Sequence, residues 1–326
     1  MKIIWIALTG VALLAGSAAG ATTGGSVALV AYSTPKDAYG QIISAFQRTS
    51  AGSGSSFSQS YGASGDQARA VAAGQSADVV ALSLDPDVNL LVGKGLVAKN
   101  WAANSHKGIV SDSVVVFVVR DGNPKHIKNW GDLVKPGVQV ITPNPFTSGS
   151  ARWNVMAAYG AQRKAGKPDK QAIGYLKTFF QHVPVQPDSA RTATQIFAQG
   201  KGDVLLTYEN EAIYAEKKGV HTQYKTPKAT LLIETPVALT KAGLQKPAAK
   251  AFYKYLWSST AQKAFAAQGF RPVVKSVAKG YKFYKPAGLF TITSSKLGLN
   301  GWRNVNRRFF HPQKGVVAKI EKSLGH

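Results

Sequence analysis

The sequence predicts an α/β protein built on a mainly parallel, doubly wound sheet. Two observations carry this: strand-type runs alternate with segments of helical spacing, and several runs are almost wholly apolar, as strands covered on both faces are. With 326 residues, 44% hydrophobic and 17% charged, the chain can bury a large core or divide into two lobes of ordinary domain size.

The first residues stand apart from that fold. Lys2, the apolar run 3–15 and small residues ending in Ala19-Gly20-Ala21 read as an export signal over residues 1–21, cleaved before Thr22. The run is too short to anchor in a bilayer, and no later run approaches the ~20 apolar residues a membrane helix needs. The chain has no cysteine, hence no disulfide and no lipid-bearing cysteine, so a freely soluble protein outside the cytoplasm is expected.

Residues 27–32 form the first strand. Ser33-Thr34-Pro35 then opens a helix whose apolar face is Tyr39, Ile42, Ile43 and Phe46. Residues 57–61 give the second strand, and Gly62-Ala63-Ser64-Gly65-Asp66 turns into the second helix. Residues 78–84 give the third, with Asp85-Pro86-Asp87 starting the helix after it. Residues 114–119 are the strongest strand in the chain. From Val138 the same grammar repeats: residues 138–141 into a helix, 183–185 into Asp188-Ser189-Ala190-Arg191, and 204–207 into Tyr208-Glu209-Asn210-Glu211. Residues 231–239 carry the chain back, and an amphipathic stretch around Phe252, Tyr255 and Leu256 is expected to cover the first lobe, with the segment around Gly301-Trp302 wrapping it.

A net charge of +24 invites a nucleic-acid reading, but Lys and Arg are spread along the chain without an Arg-rich tract or regular aromatic interleaving, so no nucleic-acid partner is expected. Reactive constellations are equally scarce. The six histidines have no partner at metal-ligand spacing, and there is no His-Glu-x-x-His pair, Gly-x-Ser-x-Gly elbow or Walker loop. No enzyme, metal or cofactor is expected.

What recurs is a small hydroxyl, Gly or Ala where a strand turns into a helix: Ser33-Thr34, Ser64-Gly65, Ser148-Gly149-Ser150 and Ser189-Ala190. Such junctions lie at the carboxyl ends of parallel strands, where ligands bind. Residues 141–159 are the clearest case. Strand residues run into Pro143 and Pro145, and Thr147-Ser148-Gly149-Ser150 opens a segment with Trp153, Met156 and Ala157 at helical spacing. Free backbone N–H groups and the positive end of the helix dipole would face a small oxyanion there. On the short pattern alone an ordinary helix cap is the commoner reading.

The longer string is more specific. Asn144-Pro145, Ser148-Gly149 and Ala151-Arg152-Trp153-Asn154 resemble the Asn-Pro-x-[Ser/Thr]-Ser-Gly-Gly-Ala-Arg-Trp-Asn signature of the periplasmic sulfate- and thiosulfate-binding proteins of ABC transporters. The resemblance continues through Asp78-Val79-Val80, Gly122-Asn123-Pro124-Lys125, Gly202-Asp203-Val204-Leu205, Glu209-Asn210-Glu211-Ala212 and Phe270-Arg271-Pro272. It implies a two-lobed, type II periplasmic binding protein fold, with residues 22–112 and 233–326 in lobe I and 113–232 in lobe II. The implied function is a monomeric receptor that closes on sulfate or thiosulfate and delivers it to ABC permease subunits of the inner membrane. Molybdate, tungstate or phosphate is the alternative anion, and a serine hydrolase the remote alternative.

Carried over by position, the anion ligands are Ser64, Ser148, the N–H groups of Gly149, Ser150 and Ala190, and Tyr208. Thr34, Gly65, Thr147, Arg152 and Asp66 stand behind them. The sequence departs from the family pattern in four places. Ser150 replaces a common second Gly, Asp66 stands where many relatives carry Lys, the Asp188–Thr192 segment is one residue shorter, and Tyr208 replaces a Trp. An Asp66 carboxylate in its helix's first turn is expected to point away from the cleft.

Overall fold

The computed structural model describes residues 24–325; the expected leader, residues 1–21, lies outside them. The first strands are laid down as the alternation predicts. β1 (Ser26–Tyr32), α1 (Lys36–Gln47), β2 (Ser56–Gly62), α2 (Ser64–Ala72), β3 (Val79–Ala81) and α3 (Asp85–Gly93) form a wound unit, with β1 pairing in parallel with both β2 and β3. The buried face of α1 is Ala38, Tyr39, Ile42, Ile43 and Phe46, the i, i+3, i+4 stripe read from the sequence.

β4 (Ile109–Arg120) is the longest strand, and burial of nearly every residue explains its unbroken apolar run. Val114, Val116 and Val118 face one core, and Val115, Phe117 and Val119 another. The second wound unit follows: β5 (Val140–Ile141), α4 (Gly149–Lys164), α5 (Asp169–Gln181), α6 (Ala190–Ala198), β6 (Val204–Tyr208), α7 (Glu209–Lys217) and β7 (Thr222–Lys225). β5 and β6 pair in parallel. The strand expected at 183–185 shrinks to a single bridge, Ile141 with Val185. Pro184 and Pro187 withhold the N–H groups a longer ladder would need.

β8 (Leu232–Leu239) returns the chain. The sheet order is β2-β1-β3-β8-β4-β6-β5. β4 spends its first half, Ile109 to Val114, antiparallel to β8 and its second half, Val115 to Val119, antiparallel to β6; β8 pairs with β3 through Val237 to Leu239. Two long antiparallel strands thus cross between the two parallel units, which is how one chain joins two wound units side by side.

The remaining elements are α8 (Lys241–Leu244), α9 (Pro247–Tyr255), α10 (Ser259–Ala267), β9 (Arg271–Pro272), α11 (Lys275–Ala278), α12 (Gly301–Phe309) and α13 (Val316–Leu324). α9 and α10 cover the first unit as expected: Phe252 meets Phe46 at 5.4 Å and Phe265 meets Tyr39 at 5.5 Å between ring centroids. The C-terminal segment reaches further than expected. α12 packs against α3 of the first unit as expected, but the segment also reaches α4 and α5 of the second, with Trp302 edge-on to Trp153 at 4.6 Å, Phe309 to Tyr159 at 4.8 Å, and Arg308 paired with Asp169 at 2.6 Å. Trp153 and Tyr159 of α4 receive it, which helical spacing alone does not reveal.

Candidate functional site

The cleft is built from helix beginnings. Ser64, Gly149 and Ala190 are the first residues of α2, α4 and α6, so each presents a backbone N–H with no intrahelical carbonyl to bond. Ser148 and Ser189 are the extended caps before α4 and α6, and Tyr208 ends β6 as the cap of α7. All six of these residues are buried, so the donors lie away from bulk solvent.

Ser83, just past β3, gathers several of them. Its N–H donates to the Ser64 hydroxyl at 2.9 Å, its own hydroxyl meets the Tyr208 hydroxyl at 2.6 Å, and its carbonyl accepts from Trp153 Nε1 at 2.9 Å. A Cβ on Gly149 would lie 2.5 Å from Ser83 Oγ, so only glycine lets α4 approach this closely. Sequence reasoning missed Ser83. It is one more small hydroxyl after a strand, but Leu82 and Leu84 on either side make it look like the end of the apolar run.

The Ser64 hydroxyl differs from its expected free state: it donates to Asp87 Oδ2 at 2.6 Å. Burial raises the Asp87 acid, while nearby Arg152 and this hydrogen bond oppose the rise. What α2 offers the cleft is therefore the Ser64 N–H. The neighbouring Gly65 N–H crosses to the Thr147 carbonyl at 2.9 Å, and a Cβ on Gly65 would sit 2.8 Å from that oxygen. Thr147 in turn donates its hydroxyl to the Asp188 carbonyl at 2.8 Å, tying the two anion loops of the second unit together.

The Ser148 hydroxyl caps no N–H of its own helix. Ser150 lies in regular helix and is not among the positive-φ residues, so the replacement of a second glycine costs no backbone strain here. Its buried hydroxyl makes no well-aligned hydrogen bond but lies beside the Tyr208 hydroxyl, and the hydroxyls of Thr34 and Tyr32 lie beside one another in the same way. Tyr32 packs edge-on to Tyr208 at 6.4 Å, and burial holds both phenols well above their ordinary range, so both stay protonated donors. A hydroxyl loosely paired with another hydroxyl keeps donor capacity that an anion can use.

Ala190 is brought to the same cleft through its neighbour. Arg191 donates to the Thr34 carbonyl at 2.9 Å and pairs with the fully buried Glu211 at 2.9 Å, linking α6 to the β1–α1 turn. Arg271 binds Glu209 in the same two-pronged way, at 2.7 and 3.0 Å. These arginines answer the carboxylates of α7. Arg152 braces loops as expected, donating to the Pro145 carbonyl at 2.8 Å and to Asn306 at 3.3 Å. Asp66 forms an ion pair with Arg69 and is half exposed, so it faces solvent. Among the described residues no cluster of His, Cys, Asp and Glu could hold a metal, and no helix is long and apolar enough to cross a membrane.

Comparison with known proteins agrees with this geometry. The family model described as a bacterial extracellular solute-binding protein matches residues 27–271. A sulfate-binding protein of Synechococcus elongatus is 39% identical, over 91% of this chain and 87% of that protein. A thiosulfate-binding protein of Pseudomonas aeruginosa is 34% identical, over 86% and 88%. Among solved structures, the sulfate-binding protein SubI from Mycobacterium tuberculosis superposes with a TM-score of 0.83 at 45% identity, covering 87% of this chain and 99% of SubI. The chain belongs to the sulfate- and thiosulfate-binding family of solute-binding proteins. As a member of that family it has the two-lobed fold.

Proposed function

We propose that the protein is an extracytoplasmic sulfate receptor that also accepts thiosulfate, closes its two lobes over the anion and delivers it to an ABC importer, without performing chemistry. Residues 22–112 with 233–326 serve as one lobe and 113–232 as the other, with β4 and β8 as the hinge and the C-terminal helices α12 and α13 reaching across onto α4 and α5. The protein is exported by its leader, cleaved after Ala21, and works as a soluble monomer in the periplasm that docks on permease subunits.

The observation that carries the reading is the character of the cleft: the groups gathered there are helix N-terminal N–H groups and neutral hydroxyls. A dianion is accommodated by such dipoles without a contacting Lys or Arg. The ligands are the N–H groups of Ser64, Gly149, Ser150 and Ala190 with the hydroxyls of Ser148 and Tyr208. Thr34, Gly65, Thr147 and Arg152 hold their loops in place, and Asp66 takes no part. Calorimetric titration against sulfate, thiosulfate, molybdate and phosphate tests this. Sulfate must bind most tightly or equal only thiosulfate; preference for molybdate or phosphate would replace the assignment.

A further inference from the structure

Between Glu234 and Glu321 the chain has no Asp or Glu and carries Lys or Arg at sixteen positions. Among the described residues only three of these cations, Lys246, Arg271 and Arg308, find a carboxylate elsewhere in the fold. The excess charge of this basic protein is therefore poorly compensated here. Just after α11 the stretch becomes more specific: Lys279-Gly280-Tyr281-Lys282-Phe283-Tyr284-Lys285 interleaves three lysines with three aromatic residues.

Residues 281–285 form no helix or strand, yet they are held in place. Arg271, itself clamped by Glu209, donates to the Tyr284 carbonyl at 2.7 Å and lies 5.4 Å from the Phe283 ring centre. With Phe283 taken up by Arg271, Tyr284 is left 58% exposed, the most of any large hydrophobic side chain described. It lines a pocket of about 320 Å³ with Lys128, Tyr224, Lys225 and Thr226, and no acid is in that wall. Lys128, Lys225, Lys282 and Lys285 are exposed and belong to none of the ion pairs among the described residues. The acids that bear on Tyr224 are Glu209 and Glu216. The first is spent on Arg271, and the second lines a separate pocket with Asp121 and His221.

Lysines around an exposed tyrosine match a lipid surface of opposite charge. The ammonium groups stay among headgroup phosphates, while the phenol ring enters the interface and keeps its hydroxyl wet. A soluble polyanion would meet the lysines but has no such layer to take up the ring. We infer that this face, Lys128, Lys225, Lys282 and Lys285 around Tyr284, rests on a bilayer containing anionic phospholipid. The inference rests on the receptor reading for its use: a protein that hands its ligand to membrane subunits is kept beside them by the contact, and this chain has no cysteine to carry a lipid. Four charges and one ring fall short of a permanent anchor, so attachment is reversible and weakens with salt.

The test is cosedimentation of the full-length mature protein with vesicles of phosphatidylcholine containing about one-third phosphatidylglycerol, beside pure phosphatidylcholine vesicles and a DNA duplex. Binding to the anionic vesicles alone is expected, lost in about 0.5 M sodium chloride. Lys225→Gln with Lys282→Gln and Lys285→Gln should weaken it by about tenfold or more, and Tyr284→Ser by about threefold or more. A control, Lys94→Gln with Lys99→Gln and Lys241→Gln, removes three exposed lysines near the end of α3 and should leave it unchanged. Calorimetry on the same variants should give wild-type sulfate affinity, so misfolding or failure of the receptor reading appears there and not in the vesicle assay. No binding to the anionic vesicles, equal binding to phosphatidylcholine or to DNA, or equal loss in the two triple variants would overturn the inference.

Discussion

The Tyr208 hydroxyl at the end of β6 and the Ser83 hydroxyl after β3 meet at 2.6 Å, joining the two parallel units across the cleft. Tyr208 is fully buried, and the same oxygen lies beside Ser150. The contact makes Tyr208 at once a closing strut and a donor. Tyr208→Phe keeps the ring packing on Tyr32 but removes both functions. Sulfate affinity should fall by about 1–3 kcal/mol, measured by calorimetry, with the melting temperature of the ligand-free protein changed little.

Gly149 makes a sharper steric prediction. A methyl group there would press on Ser83 Oγ and on Leu84 Cγ, at 2.5 and 3.0 Å, both on the other parallel unit. Gly149→Ala should therefore oppose closure by about 1–3 kcal/mol, the usual cost of overpacking. In small-angle scattering the variant should need a higher sulfate concentration than wild type to become compact.

Ser64→Ala and Ser148→Ala should separate two roles. Loss of the Ser64 hydroxyl leaves the buried Asp87 carboxyl without its 2.6 Å donor and should lower folding stability by about 1–3 kcal/mol in urea titration. Ser148→Ala removes a hydroxyl that caps no N–H of its own helix, so its loss should appear in sulfate affinity and not in stability.

Stability should decline as pH rises through neutrality. Burial raises Asp85 to about 6, Asp112 to about 7 and Glu321 to about 7, and Asp112 faces Glu234 directly across the β4–β8 pair. An acid whose folded pKa is raised holds more protons folded than unfolded between the two values. Its contribution is complete below the unfolded pKa and lost as pH climbs through the folded one. The melting temperature should be higher near pH 5 than near pH 8; the reverse order would show that these three groups are not raised.

Much of this site was legible in the sequence because it depends on local grammar. Ser64, Gly149 and Ala190 begin helices as their hydroxyl-and-glycine junctions indicate, and Asp66 turns outward to Arg69. What the sequence left open depends on partners far along the chain. The Ser64 hydroxyl is taken by a carboxylate 23 residues away, and Ser83 matters only because α4 and Tyr208 close onto it from the other side. The aromatic residues Trp153 and Tyr159 of α4 likewise acquire meaning only from Trp302 and Phe309.

The central claim is that donors alone meet the anion, so a ligand that must itself donate should be refused. Sulfate carries no proton near neutrality, whereas phosphate retains at least one, and a buried proton facing another donor costs about 1–3 kcal/mol or more. The direct measurement is competition calorimetry between sulfate and phosphate at about pH 6 and about pH 8, on wild type and Asp66→Asn. Sulfate should displace phosphate at both pH values and in both proteins. Phosphate binding as tightly as sulfate, or tight phosphate binding abolished by Asp66→Asn, would contradict the account.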